Sequence, residues 1–230
     1  GKVVVAKHAV KTDAAQTITV GGYLDVEGAE GSSSGTFGPL AETGIGAAII
    51  DTVNDPVNNS TSANVQSITV NGSDSLNAVT GAALTVEGGN SGTNSTAAEI
   101  EQAGANGGVT DQQIDVKNGS ILVQGGTDDG AFAQIDSQNT QEIGFAQAIG
   151  GNITVQGGGS GGNNGSYAAI TAAGTVLTTS LTTVQTIDVT GNLIVNGGVA
   201  TTLPPTSPLT TTPNNDYALV QSTGTQEITV

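Results

Sequence analysis

The side chains that most often carry catalysis are scarce in this chain and poorly placed for it. Its one histidine, His8, stands in a stretch flanked by Lys7 and Lys11, where it reads as a surface residue and not as a general base. There is no cysteine, hence no thiol nucleophile, thiolate zinc site or disulfide framework. Hydrolysis of a glycoside needs a facing pair of carboxylic acids, and cationic groups stabilise the negative charge that develops in many such reactions. Here the 20 carboxylates are scattered along the chain, and the four basic residues, Lys2, Lys7, Lys11 and Lys117, include no arginine. Asp128-Asp129 offers oxygens to calcium in a glycine-rich turn, but the glycine-rich nonapeptide that repeats in calcium-binding β-helices is absent, and a solvated turn is the better reading. No phosphate-binding loop and no His-Glu-x-x-His pattern occurs, and the stretch from Gly157 to Gly165 reads as a corner loop. The sequence thus predicts no enzyme, no cofactor and no metal site.

Charge narrows the partners further. A formal charge of −16 without arginine opposes nucleic-acid binding, which rests on neutralising phosphates with Lys and Arg. No apolar run approaches the roughly 18 residues of a membrane-spanning helix. Absence of cysteine fits an extracellular protein; no signal peptide is visible, so if the protein is secreted Gly1 is expected to be the start of a mature chain. Asn-x-Ser/Thr occurs at Asn58, Asn59, Asn71, Asn94, Asn118, Asn152 and Asn164; the loop positions Asn58, Asn59, Asn94 and Asn164 are the candidate glycan acceptors.

What the chain has in abundance is repetition. Gln-x-Ile-x-(Val/Phe) occurs six times, at 16–20, 66–70, 112–116, 141–145, 185–189 and 226–230. Each of the first five copies is followed by an apolar-x-Val unit that ends in glycine, beginning at Leu24, Leu84, Ile121, Ile153 and Leu193. A third, alanine-rich unit follows in turn: Ala47-Ala48-Ile49, Ala98-Glu99-Ile100, Ala133-Gln134-Ile135, Ala168-Ala169-Ile170 and Tyr217-Ala218-Leu219. Most units alternate apolar and polar residues, the period of a strand with one buried face. Glycine-rich junctions between them supply the bends. Three short strands, three corners and a return to the same motif describe one rung of a parallel β-solenoid. The shortest rung, from Gln112 to Gln141, takes 29 residues.

The prediction is one all-β domain over 1–230, a parallel β-solenoid (β-helix) of about six three-stranded rungs. The remaining length is placed in protruding corner insertions near 29–46, 50–65, 71–83 and 199–216. The last of these contains the tract Thr201–Asn215, whose prolines cannot lie in an interior strand and which is expected to extend outward as a candidate for O-glycosylation. Together with 29–46 it is the expected region of lateral contact.

The recurring glutamines, Gln16, Gln66, Gln112, Gln141, Gln185 and Gln226, share a strand face with the Ile and Val that fill the interior. Stacked rung on rung at about 4.8 Å, their amides are expected to form a hydrogen-bonded core ladder. A slipped register would set an amide against apolar side chains and is penalised.

The two ends of the chain read as complementary. Residues 226–230 are a first unit with nothing after it, whereas 1–5 resemble a second unit and His8-Ala9-Val10 a third. Neither end shows a polar cap of the kind that solenoids need. Lys2, Val3, Val4, Val5 and Val10 at one end and Gln226, Ile228 and Val230 at the other are therefore the expected subunit interface. Three of the four lysines fall in the first 11 residues, opposite an acidic end.

The motifs Gln-x-Ile-x-Val, Gly-Asn-(Ile/Leu)-x-Val-x-Gly-Gly and Ala-x-Ile, clearest over Gln141–Ile170 and Gln185–Leu219, resemble the repeats of filamentous-haemagglutinin-like and related bacterial surface β-solenoids. Phe145 and Tyr217-Ala218-Leu219 depart from that pattern, and the large N-terminal secretion domain of that family is not recognisable. The resemblance implies an extracellular adhesin or fibre. The expected function is a structural subunit of a secreted or cell-surface filament, with copies of itself joined head to tail as partners. The alternative is an adhesive or carbohydrate-binding segment of a larger surface protein, with host or matrix glycans as partners.

Overall fold

A computed structural model describes residues 3–4, 16–28, 48–52, 64–78, 80–89, 97–102, 110–127, 130–158, 166–173, 183–198 and 216–230. In chain order its strands are β1 (Val3–Val4), β2 (Gln16–Val20), β3 (Leu24–Glu27), β4 (Ala48–Thr52), β5 (Asn64–Ser73), β6 (Leu84–Glu87), β7 (Ala98–Gln102), β8 (Thr110–Asn118) and β9 (Ile121–Gln124). They continue with β10 (Ala133–Ser137), β11 (Thr140–Ile143), β12 (Ile153–Gln156), β13 (Ala168–Ala172), β14 (Thr183–Asp188), β15 (Leu193–Asn196), β16 (Ala218–Ser222) and β17 (Thr225–Thr229). Among the described residues one 3-10 turn, Asp74–Leu76, interrupts them.

The described residues are almost all β, and their strands form three parallel sheets visited in cyclic order. A glutamine sheet runs β17-β14-β11-β8-β5-β2, a valine sheet β1-β3-β6-β9-β12-β15, and an alanine sheet β16-β13-β10-β7-β4. Each circuit of the chain adds one strand to each sheet beside the strand laid down one circuit earlier. Equivalent residues are therefore stacked: Gln16 pairs with Gln66, Leu24 with Leu84, and Ala98 with Ala133.

Alternation does the sorting. In β9, β10 and β12 every second residue is buried, so Ile121, Val123, Ala133, Ile135, Ile153 and Val155 converge on one core while their neighbours face out. The corners after β6, β9, β12 and β15 each open with a glycine pair, and these pairs stack on one another. A Cβ on Gly126 would run into the Gly89 carbonyl, so no larger residue fits at this close approach.

Three expectations are corrected by the register. In the alanine sheet Ala48 and Ala218, not Ala47 and Tyr217, pair with Ala98 and Ala168, so both terminal units are displaced by one residue and Ile50 and Val220 take the inward place. A one-residue shift exchanges the two faces of a strand, which is why the doubled Ala-Ala and Ile-Ile of 47–50 misled the alignment. In the fourth circuit Phe145 does not close the unit. Gly144 turns at φ +87°, Phe145 is left 55% exposed, and the buried Ile149 bridges Val189 in its place. Finally, 71–83 is more than a loose insertion. β5 extends to Ser73, and the segment after it is tied to the neighbouring strands. Asn77 Nδ2 donates to Asp25 Oδ1 at 2.8 Å, and Asp74 accepts from the Ser120 N–H at 2.5 Å, the Ser120 hydroxyl at 2.8 Å and the Ala83 N–H at 3.1 Å. This strap hides the outward-pointing Asp25 and Thr85 from solvent.

The segments 29–46 and 199–215 lie outside the described residues, with Asp216 described at the edge of the second. Strand β4 runs to Thr52 and β5 begins at Asn64, so the insertion expected over 50–65 is narrower at both ends, and 53–63 also lie outside.

Candidate self-association face

The glutamines come together as one column. Gln66 Nε2 donates to Gln16 Oε1 at 3.0 Å, Gln112 to Gln66 at 2.9 Å, Gln141 to Gln112 at 2.7 Å and Gln185 to Gln141 at 2.7 Å, and Gln226 donates to Gln185. The second amide proton of the central members goes to a main-chain carbonyl in the alanine sheet: Glu101 for Gln66 at 2.9 Å, Asp136 for Gln112 at 3.0 Å, and Thr171 for Gln141 at 3.1 Å. Gln66, Gln112, Gln141 and Gln185 are fully buried, and this bonding meets the requirement that buried polar groups be paired. Every link runs the same way, from the amide nitrogen of one circuit to the amide oxygen of the circuit before it.

At the β17 end the column meets an open face. Val155 is fully buried in β12, but its partner Val195 in β15 is 46% exposed. Ile187 is fully buried in β14, but its partner Ile228 in β17 is 41% exposed, and Val230 is 68% exposed. Leu193, Ala218 and Val220 pack on the core from below and are only half-buried. These residues have the inward orientation of their predecessors and lack only a covering circuit among the described residues. Gln226 belongs to the same surface, and no described group donates to its Oε1.

A column of aromatic rings reaches the same face. Phe132, Tyr167 and Tyr217 each precede the first alanine of an alanine-sheet strand, and their rings stack in parallel with centroids 5.0 and 5.1 Å apart. The Tyr167 hydroxyl donates to Gln134 Oε1 at 3.1 Å, and burial, with Tyr217, Glu99 and Asp136 nearby, pushes its pKa up to about 12. Tyr217 ends the stack and is 44% exposed. Tyr217, which the motif places in the alanine unit, ends this column instead, and the dipeptides Phe132-Ala133, Tyr167-Ala168 and Tyr217-Ala218 carry its signature in the sequence.

At the opposite end β1 lies against β3, with Val3 beside Leu24 and Val4 beside Asp25, and Leu24 and Val26 are fully buried. Gln16 and Ile18 are half-buried. Of the other expected interface residues, Lys2, Val5 and Val10 lie outside the described residues, as do His8, Asp128, Asp129 and the glycan candidates Asn58, Asn59, Asn94 and Asn164.

The outer surface is acidic. Burial, partly offset by the Thr171 hydroxyl, holds the Asp136 carboxyl above its ordinary range, and burial together with the charge of Asp111 does the same for Glu142. Among the described residues no three His, Asp or Glu side chains gather to hold a metal, and no helix is long and apolar enough to cross a membrane. Comparison with protein-family models, curated proteins and solved structures gives no match to the chain.

Proposed function

We propose that the chain is a parallel β-solenoid of six three-stranded rungs and that it serves as the structural subunit of an extracellular filament, adding copies of itself head to tail. The observation that carries this reading is the β15–β16–β17 face, where residues equivalent to fully buried core positions stand exposed. Such a face exposes unpaired strand edges and apolar side chains together, which favours capture of another strand layer. The complementary layer is available within the same sequence. β1 lies beside β3 at one edge of the valine sheet, and β17, at the far edge of the glutamine sheet, has the register to lie beside β2 of another copy. The second copy would then extend the glutamine sheet as β14-β17-β2 and the valine sheet as β12-β15-β1. A head-to-tail contact whose rotation does not close a ring generates a fibre.

Sedimentation velocity and negative-stain imaging of the 230-residue chain test the proposal. Six rungs spaced about 4.8 Å apart give an expected axial repeat of roughly 29 Å per subunit. Ile228→Asp, which buries a carboxylate in the contact, should abolish the fibres, whereas Gln156→Glu, an equal charge change on an outward position, should leave them. Discrete particles of single-chain mass at every concentration would refute the filament and leave the adhesive-segment reading.

A further inference from the structure

Two exposed large hydrophobic residues lie away from the β17 face, and both stand at the corner where the chain passes from the glutamine sheet to the valine sheet. Leu76, in the strap of the second circuit, is 54% exposed, and Phe145, in the turn of the fourth, is 55% exposed. Between them, in the third circuit, stands Lys117, the one basic residue among the described residues, exposed and with no carboxylate partner among them. Both flanking turns are pinned. Asp74 holds the strap to Ser120 and Ala83, and Asn118 Nδ2 donates to the Asn71 carbonyl at 3.2 Å. On the other side the Ala146 N–H donates to Asp115 Oδ1 at 2.9 Å, and Gln147 Nε2 donates to the Lys117 carbonyl at 3.2 Å. Apolar side chains held outward by a fixed backbone, with an aromatic ring beside a cation, have the composition of a contact surface.

We propose that this corner joins two copies of the chain side by side about a two-fold axis, with the Phe145 ring of each copy lying on the Lys117 ammonium of the other. Charge favours a second copy over other occupants. An acidic partner is repelled by the formal charge of −16, and a basic one is repelled by Lys117 while the acidic surface elsewhere attracts it. At the corner the flanking carboxylates are engaged: Asp74 accepts from three donors, and Asp115 is buried against the Ala146 N–H. Position favours it as well. The ring and the ammonium are the two halves of a cation–π pair, set one circuit, about 4.8 Å, apart. A two-fold axis perpendicular to the direction of stacking, passing between the third and fourth circuits, brings the third circuit of one copy level with the fourth of the other. Each ring then meets an ammonium, and the contact is made twice. The same operation sets Leu76 opposite Thr190-Gly191-Asn192, where Gly191 raises no side chain. A parallel pair would instead set Lys117 against Lys117. No residue of the β17 face takes part, so the pairing is independent of head-to-tail stacking and would join filaments sideways.

Sedimentation velocity on the 230-residue chain carrying Ile228→Asp, which blocks the axial contact, reads the pairing alone. It should show a reversible dimer that tightens as salt rises from low to physiological ionic strength. Screening relieves the repulsion between two chains of charge −16, whereas a ring-on-ammonium contact closed off from water is screened much less. Phe145→Ala and Lys117→Gln, both at exposed positions, should each weaken the dimer by roughly tenfold or more, because each removes both contacts. Mixed in equal amounts, the two variants should associate about threefold more tightly than either does alone. The mixed pair regains one of the two contacts, between the ring of the lysine variant and the ammonium of the phenylalanine variant.

A chain that stays single at every concentration, variants that change nothing, or a mixture no tighter than its components would overturn the pairing while leaving parent fibres as evidence for the filament. A dimer that weakens as salt rises would mark Lys117 as paired with a carboxylate of the other copy and overturn the ring contact. Absence of parent fibres with the dimer intact would overturn the filament alone.

Discussion

Replacing Gln141 by glutamate probes the column where it is most enclosed. Gln141 is fully buried, donates to Gln112 Oε1 at 2.7 Å and to the Thr171 carbonyl at 3.1 Å, and accepts from Gln185 Nε2 at 2.7 Å. The glutamate has nearly the same shape and still accepts from Gln185, so no cavity complicates the comparison. What changes is that two donations become contacts between oxygens. A buried acceptor stripped of its donor costs about 1–3 kcal/mol, so the two together should cost roughly 4 kcal/mol at neutral pH. Protonation is the carboxyl's escape, because one O–H restores one donation. Burial and the facing oxygens therefore raise its pKa in the folded chain above the unfolded value. A group shifted this way leaves the variant closest to the parent below the unfolded pKa, and it loses stability as the pH rises through the folded one.

The assay is urea unfolding followed by far-ultraviolet circular dichroism at pH 4 and pH 7, each set against the parent chain. The deficit should shrink to about 2 kcal/mol at the lower pH, where one donor is regained. Gln141→Leu, which lacks both donors and cannot titrate, should show a deficit of about 2–4 kcal/mol that does not change with pH. A Gln141→Glu chain within about 0.5 kcal/mol of the parent at pH 7 lies in the range of an ordinary surface substitution and would refute the column as a source of stability. So would a deficit identical at both pH values.

Other consequences are tested the same way. Ile149→Ala should cost about 2–5 kcal/mol as a buried truncation, and Phe145→Ala less than about 1 kcal/mol; the reverse order would return Phe145 to the core. Gly144→Ala forces a side chain onto φ +87° with its Cβ 2.5 Å from the Asp188 carbonyl oxygen and should cost about 1–3 kcal/mol, while Gly21→Ala, which meets nothing within 4 Å, should be near neutral. Asp136 and Glu142 both have raised pKa values when folded, so the folded chain binds more protons and these groups favour folding most below the ordinary carboxylate range. The unfolding midpoint should therefore fall from pH 4 to pH 7, and Asp136→Asn should flatten that slope; a midpoint that climbs over this interval contradicts it. If the basic start of one copy meets the acidic end of the next, as the placement of the lysines suggests, association of the parent chain should weaken between low and high salt.

The parts of this architecture legible in the sequence are those where one residue type has one consequence. Glutamine at a fixed offset from isoleucine admits a single inward alignment, and all six copies fall in register. Alanine units are less informative, because Ala47-Ala48 and Ile49-Ile50 satisfy the motif in two frames and only the neighbouring strand decides between them. Phe145 misleads for a related reason: it stands at the proper distance from Gln141, but Gly144 takes the chain out of the strand before reaching it. The spacing from the closing residue to the next strand, four from Ile149 to Ile153 as from Val189 to Leu193, carries the correct alignment. The aromatic column escaped notice because it lies one residue before the repeat unit as the motif delimits it. The strap that follows β5 depends on Asn77 reaching an aspartate 52 residues earlier in the chain, which no local pattern encodes.

The uneven spacing of the glutamines explains why the chain needs them. Successive column partners are separated by 50, 46, 29, 44 and 41 residues, so the connecting segments cannot measure out where each circuit begins. Loop closure discriminates weakly too, since doubling a loop costs only about 0.6 kcal/mol. Ile and Val supply the attraction between circuits but tolerate a two-residue slip. The element that rejects the slip is the amide, whose misplacement leaves a buried polar group unpaired. The same device operates on each strand of the glutamine sheet as it is laid down, so register is set by one side chain in every circuit, however long the segment that precedes it.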